Sequence, residues 1–254
     1  MRMPVLFVAH GNPLMLDLAL RMQELTRWGQ ELPRPTGILV ISAHWQSRPL
    51  TIGASQPTPL IYDFYGFPSQ YYQLSYPTPP AAELAAQVRQ LLQTEEVAYQ
   101  EQPERGFDHG VWVPLLGMYP AADIPVLQLS LPGDNPKTLL ELGQTLAPLR
   151  DEGILILTSG YLTHNLRQWT DDGIIAPWAA AFDDWIAAHL QERDQQSLLD
   201  YQRLAPGVQQ SVPTPEHLVP LFVAMGASTD TDPVSFPITG FEFGSFSHRS
   251  VQFG

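Results

Sequence analysis

The chain contains no cysteine. That absence excludes disulfides, thiolate nucleophiles, cysteine-bound zinc and iron–sulfur clusters together. Any metal held here must sit on His, Asp or Glu. Lysine is nearly missing as well, Lys137 standing alone beside twelve arginines. With a formal charge of −13, the surface repels phosphate backbones and anionic lipid, so neither nucleic acid nor a membrane is an expected partner. No apolar run approaches the roughly 20 residues of a membrane span. The N-terminal residues show no basic region leading into an apolar stretch, and a cytoplasmic protein is expected. The sequence also lacks a Gly-x-Ser-x-Gly elbow, a phosphate loop and a dinucleotide fingerprint.

What remains is an apolar content of 44% over 254 residues, enough to bury a sizeable core. No repeat and no linker divides the chain, so one catalytic domain over 1–254 is expected. Val5 to Ala9 is an unbroken apolar run, the pattern of a strand covered on both faces, and it stops at His10-Gly11-Asn12-Pro13. Leu14 to Trp28 carries apolar residues at helical spacing. Ile38 to Trp45 is a second strand, ending on His44. Strand, helix, strand is the unit of a parallel sheet, and it brings His10 and His44 to one edge.

Residues 56–80 alternate proline with Tyr62, Phe64, Tyr65, Phe67, Tyr71, Tyr72 and Tyr76 without periodicity. A loop that long inside a domain is usually functional, here either a core cover or an aromatic wall of a substrate pocket. Leu50 to Ala54 and Val97 to Gln102 are short candidate strands, and Ala81 to Gln93 is a helix. His109 falls between Gly106 and Gly110 and is expected on a loop. Ile124 to Leu129 is a strand; Asn135 then caps a helix with Pro136 at its first position, running to about Leu149. Ile154 to Gly160 is the best buried strand, with His164 just beyond it. Trp178 to Arg193 is a helix carrying His189. A last helix is expected from Pro213, capped by Thr214, with Pro220 in its first turns and His217 on it. Phe241 to Phe253 should form an edge or covering strand. The expected fold is α/β, a mostly parallel central sheet flanked by helices, with ligands at the carboxyl ends of its strands.

Of seven histidines, His10, His44 and His164 each follow a buried strand, and His109 and His217 can reach the same edge. His189 and His248 read as ordinary residues, and Asp171-Asp172 and Asp183-Asp184 as solvated surface. A single histidine is more often structural than functional, but three at one sheet edge reverse that balance. Neutral imidazole is the commonest ligand of zinc, iron and copper, and three such ligands leave open positions for substrate. Glu216 can complete the shell. No close-spaced His-Glu-x-x-His motif is present, so spacing alone leaves three readings open: an oxygenase, a zinc hydrolase using a metal-bound hydroxide, and a non-enzymatic metal-binding protein.

Five motifs narrow this: His-Gly-Asn-Pro at 10–13, Ser-Ala-His-Trp at 42–45, Gly-Phe-Asp-His-Gly-x-Trp at 106–112, Ser-Gly-x-x-x-His-Asn-Leu at 159–166 and Pro-Glu-His-x-x-Pro-Leu at 215–221. In this order they resemble the class III extradiol ring-cleaving dioxygenases, in the 4,5-DOPA dioxygenase branch shared by plants and bacteria. The resemblance implies one mononuclear Fe(II) site, or Zn(II) in preparations that acquire it, opening a catechol with O2. It implies His10, His44 and His217 as metal ligands, His164 as catalytic base or fourth ligand, and His109 as a catalytic pocket residue touching substrate or dioxygen. In protocatechuate-type relatives the third ligand is a carboxylate; here the motif supplies His217 and leaves Glu216 in reserve. Beyond the resemblance, the Tyr/Phe-rich loop at 62–76 is expected to stack on the substrate ring, with Arg105 or Arg167 meeting a substrate carboxylate.

Overall fold

The computed structural model describes residues 2–254. Its main sheet is built on β1 (Val5–Ala9), β2 (Gly37–Gln46), β3 (Leu50–Ile52), β4 (Tyr99–Glu101), β5 (Val126–Leu131), β6 (Ile154–Gly160), β7 (Val234–Ser235) and β10 (Val251–Phe253), in the order β4-β3-β5-β2-β6-β1-β10-β7. The central four, β5, β2, β6 and β1, are parallel, while β10 and β7 add antiparallel on one side. A separate hairpin joins β8 (Phe241–Glu242) to β9 (Phe246–Ser247). The C-terminal segment is therefore not one edge strand. It turns back as a hairpin, and β10 lies between β1 and β7.

The apolar runs form central strands because alternate side chains enter two different cores. On β1, Val5 and Phe7 pack into one core, while Leu6 and Val8 pack into the other. The first core is closed by α2 (Ala82–Thr94), α4 (Pro136–Leu146), α5 (Pro177–Gln191) and α9 (Pro220–Ala227). Three short helices, α6 (Gln195–Leu199), α7 (Tyr201–Leu204) and α8 (Val208–Ser211), lead from α5 toward α9. The second core is closed by α1 (Ala19–Glu31), α3 (His109–Met118) and part of the 56–80 loop, through Trp28, Trp112, Tyr71 and Tyr76. That loop is thus a core cover along much of its length.

Two helix starts differ from the sequence reading, each for a local reason. The expected helix at 14–28 is split: Asn12 caps a 3-10 turn over Pro13–Asp17, Leu18 is extended, and α1 begins at Ala19. The last helix begins only at Pro220, which occupies its first turn. A proline inside a helix removes a hydrogen bond and crowds the preceding turn, so the chain from Pro213 to Val219 stays in turns and Pro220 opens α9 instead. Asp183 is not solvated. It is buried, accepts hydrogen bonds from Ser247 Oγ and from Arg249 Nε at 2.8 Å, and ties α5 to the C-terminal segment.

The strand register aligns the elements that feed the site. Ala9 pairs with Gly160 and Ser42 with Ser159, so His10, the end of β2 and the end of β6 lie at one level. The pairing of β2 with β5 breaks between Ile41 and Gln46, and the irregular stretch carries His44. Gly160 is required by close approach: a Cβ there would lie 2.0 Å from the carbonyl oxygen of His217. Tyr161 N donates to that same oxygen at 2.8 Å, which fastens the His217 turn to the end of β6.

Candidate metal centre

Five of the seven histidines meet at the carboxyl end of the parallel strands. His10 follows β1, His44 ends the irregular part of β2, His164 follows β6, and His217 sits in the turn before α9. His109 is not on a loop; it is the first residue of α3. The helix starts there because Asp63 Oδ1, reaching in from the 56–80 loop, accepts from His109 N at 3.0 Å and serves as its cap. Ring centroids are 4.9 Å apart for His10 and His44, 4.0 Å for His44 and His109, and 5.0 Å for His44 and His217. His164 stacks on His217 at 3.6 Å with an interplanar angle of 12°.

Hydrogen bonding on the far side of each ring sets which nitrogen faces inward. Ser159 Oγ gives its proton to the Gly110 carbonyl, so it accepts from His10 Nδ1 at 2.9 Å. Asp63 accepts from His109 Nδ1 at 2.9 Å through Oδ1 and lies 3.3 Å from His44 Nδ1 through Oδ2. Glu216 Oε1 accepts from His217 Nδ1 at 3.0 Å. In His10, His109 and His217 Nδ1 therefore carries the proton and Nε2 keeps its lone pair.

His10 Nε2, with its lone pair, then faces His44 Nε2 at 3.1 Å, within hydrogen-bond distance. A cation held between them would bind both nitrogens once His44 turns its proton to Nδ1, which lies 3.3 Å from Asp63. Ligand nitrogens of His10, His44 and His109 all lie within 4.8 Å of one another, as do ligand atoms of His164, Glu216 and His217. Neutral imidazoles with carboxylates or hydroxyls behind them are the donor set of a divalent transition metal. The residues fit one.

The electrostatics agree. Burial, followed by the neighbouring rings of His109 and His217, pushes His44 down to about 2. Burial and the His217 ring take His164 down to about 3, and burial holds His10 well below its ordinary value. Burial also lowers His217, although Glu216 pulls it back up. Burial would raise Asp63, yet its hydrogen bonds and attraction to His109 and His44 hold it at about 2. Glu216 is likewise held at about 2 against burial, chiefly by the hydrogen bond from His217. Glu216 therefore acts through its neighbour, keeping the His217 ring oriented.

Beside the histidines opens a cavity of about 530 Å³. From the aromatic loop only Phe64 and Phe67 line it together with Asp63; Tyr65 is 90% exposed and takes no part in the lining. The remaining aromatic wall comes from Tyr161, Trp169, Phe243 and Phe246, near the other end of the chain. Neither expected arginine lines it. Arg105 lies 4.3 Å over the Trp45 ring and 3.4 Å from Asp108, and Arg167 is exposed outside the cavity. Sequence reasoning passed over Asp63 and Glu242. The available signal for Asp63 was an acid within an otherwise apolar, aromatic stretch.

The class of protein is then an α/β chain presenting a histidine metal centre in an aromatic cavity, and the comparisons agree with it. Residues 12–254 match the family model described as the catalytic LigB subunit of aromatic ring-opening dioxygenase. A 4,5-DOPA dioxygenase extradiol of Escherichia coli K12 is 41% identical over 260 residues, covering 100% of this chain and 95% of that protein. One from Beta vulgaris is 40% identical over 255 residues, covering 97% and 95%. A crystal structure of an uncharacterized E. coli K12 protein superposes with a TM-score of 0.85 at 36% identity, covering 100% of both chains. The chain belongs to the LigB family of aromatic ring-opening dioxygenases.

Replacing Asp63 with Asn removes a charge shared by two imidazoles while nearly preserving shape. Metal affinity, read by chelator competition, should fall about 10- to 100-fold, with little change in melting temperature. Unaltered affinity would contradict the role given to Asp63. A second expectation concerns chelator-treated protein. Imidazoles that ordinarily titrate near 6.5 are held at about 2 and 3 in His44 and His164, so unfolding takes up protons as the pH falls below 6.5. Stability is then greatest above pH 6.5 and declines from there toward the folded values. Asp63 and Glu216, whose ordinary values are 3.8 and 4.5, add their own loss only at lower pH. A melting temperature that stays flat between about pH 7 and 5 would contradict neutral rings at the centre.

Proposed function

We propose that the protein is a cytoplasmic, single-domain extradiol dioxygenase that opens the ring of a DOPA-like catechol with O2 at one mononuclear Fe(II) or Zn(II) site. The observation that carries the proposal is the convergence of five histidines on one cavity, with the Nε2 atoms of His10 and His44 3.1 Å apart. His10, His44 and His217 would hold the metal, with His164 beside them as base or fourth ligand. Family membership favours oxygenase chemistry over the hydrolase and metal-storage readings. No helix among the described residues is long and apolar enough to cross a membrane.

Bound divalent iron would supply a common meeting point for a catechol and dioxygen, lowering the entropic part of the barrier and the pKa of the diol. The protein's own residues do the rest. Phe64 and Phe67 offer apolar faces to an aromatic ring and exclude water from one side of the cavity. His164 is half-buried at the wall, and its ring nitrogens have no hydrogen-bond partner among the described residues. Held neutral by burial and by His217, it presents a lone pair to a catechol O–H. Its low basicity suits passing a proton onward better than storing one. His109 keeps Nδ1 on Asp63 and leaves Nε2 free toward the other histidines, where it can touch substrate or dioxygen.

Protein loaded anaerobically with Fe(II) and then given air and a catechol should consume oxygen and form a yellow ring-opened product. His164→Ala should lower kcat by about 100-fold or more, the usual weight of a general base. Absence of oxygen uptake with every catechol tried would overturn the proposal. Full activity in His164→Ala would remove His164 from it.

A further inference from the structure

Among the described residues, no lysine or arginine lines the cavity; its formal charges are the carboxylates of Asp63 and Glu242. Asp63 is committed to His44 and His109. Glu242 lies on β8, on the wall formed by the C-terminal hairpin, and faces a different set of groups. Its Oε1 accepts from Tyr161 Oη at 3.3 Å, and its Oε2 lies 3.2 Å from His248 Nε2. Both oxygens retain acceptor capacity, since an ionised carboxylate has about four lone-pair sites. Arg21 attracts Glu242 through space but is paired with Glu24 at 2.8 Å and donates to the Thr239 carbonyl, so among the described residues the one ion-pair partner of Glu242 is His248, charged only when protonated.

Tyr161 sets the distance from the metal centre. Its ring lies 5.2 Å from the His10 ring and its hydroxyl reaches Glu242. A catechol with its two oxygens toward the histidines and its ring parallel to the His10–Tyr161 direction would carry its side chain toward the tyrosine hydroxyl. What stands there is a carboxylate, with the Phe243 and Phe246 rings beside it. Aromatic faces attract ammonium groups and repel carboxylates. Burial raises Glu242, so a cation arriving there also relieves the cost of an enclosed anion. The charge of −13 adds a field of the same sign.

We infer that Glu242 is the specificity determinant of the cavity, binding the ammonium group of an amine-bearing catechol and disfavouring catechols whose only side-chain charge is a carboxylate. This rests on the ring-opening reading above and narrows its substrate class. An amino-acid catechol would be accepted through its ammonium, with its own carboxylate turned toward the open mouth.

The test uses the full chain and three probes: dopamine, 4-methylcatechol and hydrocaffeate. On iron-loaded enzyme, kcat/KM should fall in that order. In Glu242→Gln the ratio of dopamine to 4-methylcatechol should drop about 10- to 100-fold, the weight of a hydrogen bond to a charged group, mainly through KM. Calorimetry on zinc-loaded wild type should give the same order of affinities without turnover or any variant. Hydrocaffeate binding as tightly as dopamine, or a ratio unchanged in Glu242→Gln, would overturn the assignment. If no catechol is turned over, the ring-opening reading fails by itself, and the calorimetric order still decides whether Glu242 selects an amine.

Discussion

Two imidazole nitrogens that face each other where the parallel strands end impose the constraint on which this structure turns. His10 Nε2 and His44 Nε2 sit 3.1 Å apart, with Ser159 accepting from His10 Nδ1 and Asp63 lying 3.3 Å from His44 Nδ1. Those acceptors are fixed by deeper features. Ser159 belongs to β6 and is locked by the Gly110 carbonyl at the start of α3, and Asp63 also caps that helix. Removing one acceptor therefore disturbs both a ring tautomer and the seating of a helix. Desolvation makes each ring neutral, and neutrality makes each a ligand.

The same economy governs the scaffold. A parallel strand covered on both faces needs apolar residues at every position, so β1, β2 and β6 are uninterrupted until the carboxyl ends. Polar chemistry begins where the sheet stops. Three of the five histidines come from strand ends, and His109, His217, Asp63, Glu216 and the C-terminal hairpin are brought in from elsewhere. Gly160, with no room for a Cβ against the His217 carbonyl, shows how closely the outermost turn is fitted to the sheet.

This explains what could be read before the structure was known. Strand positions and their parallel arrangement were legible in the apolar runs, and His10, His44 and His164 followed from them because each lies just past such a run. His217 and His109 were legible as motifs, but their backbone settings were not. Whether a histidine lies in a turn or opens a helix was decided by Pro220 in one case and by a capping carboxylate 46 residues away in the other. Asp63 and Glu242 escaped because their roles are long-range: neither lies at a strand end, and their partners are distant in sequence. The two arginines were misplaced for a related reason. Proximity to a motif in sequence says nothing about which side of the sheet edge a long side chain takes, and Arg105 is drawn to Trp45 and Asp108 instead.

The central claim is that one divalent metal sits between neutral imidazoles at the ends of the parallel strands. It is tested most directly by anomalous diffraction at the iron or zinc edge, from crystals of metal-loaded protein. The account predicts one peak per chain, within coordination distance of the Nε2 atoms of His10, His44 and His217. A peak bound instead to Nδ1 atoms, or two peaks dividing His10, His44 and His109 from His164, Glu216 and His217, would contradict it.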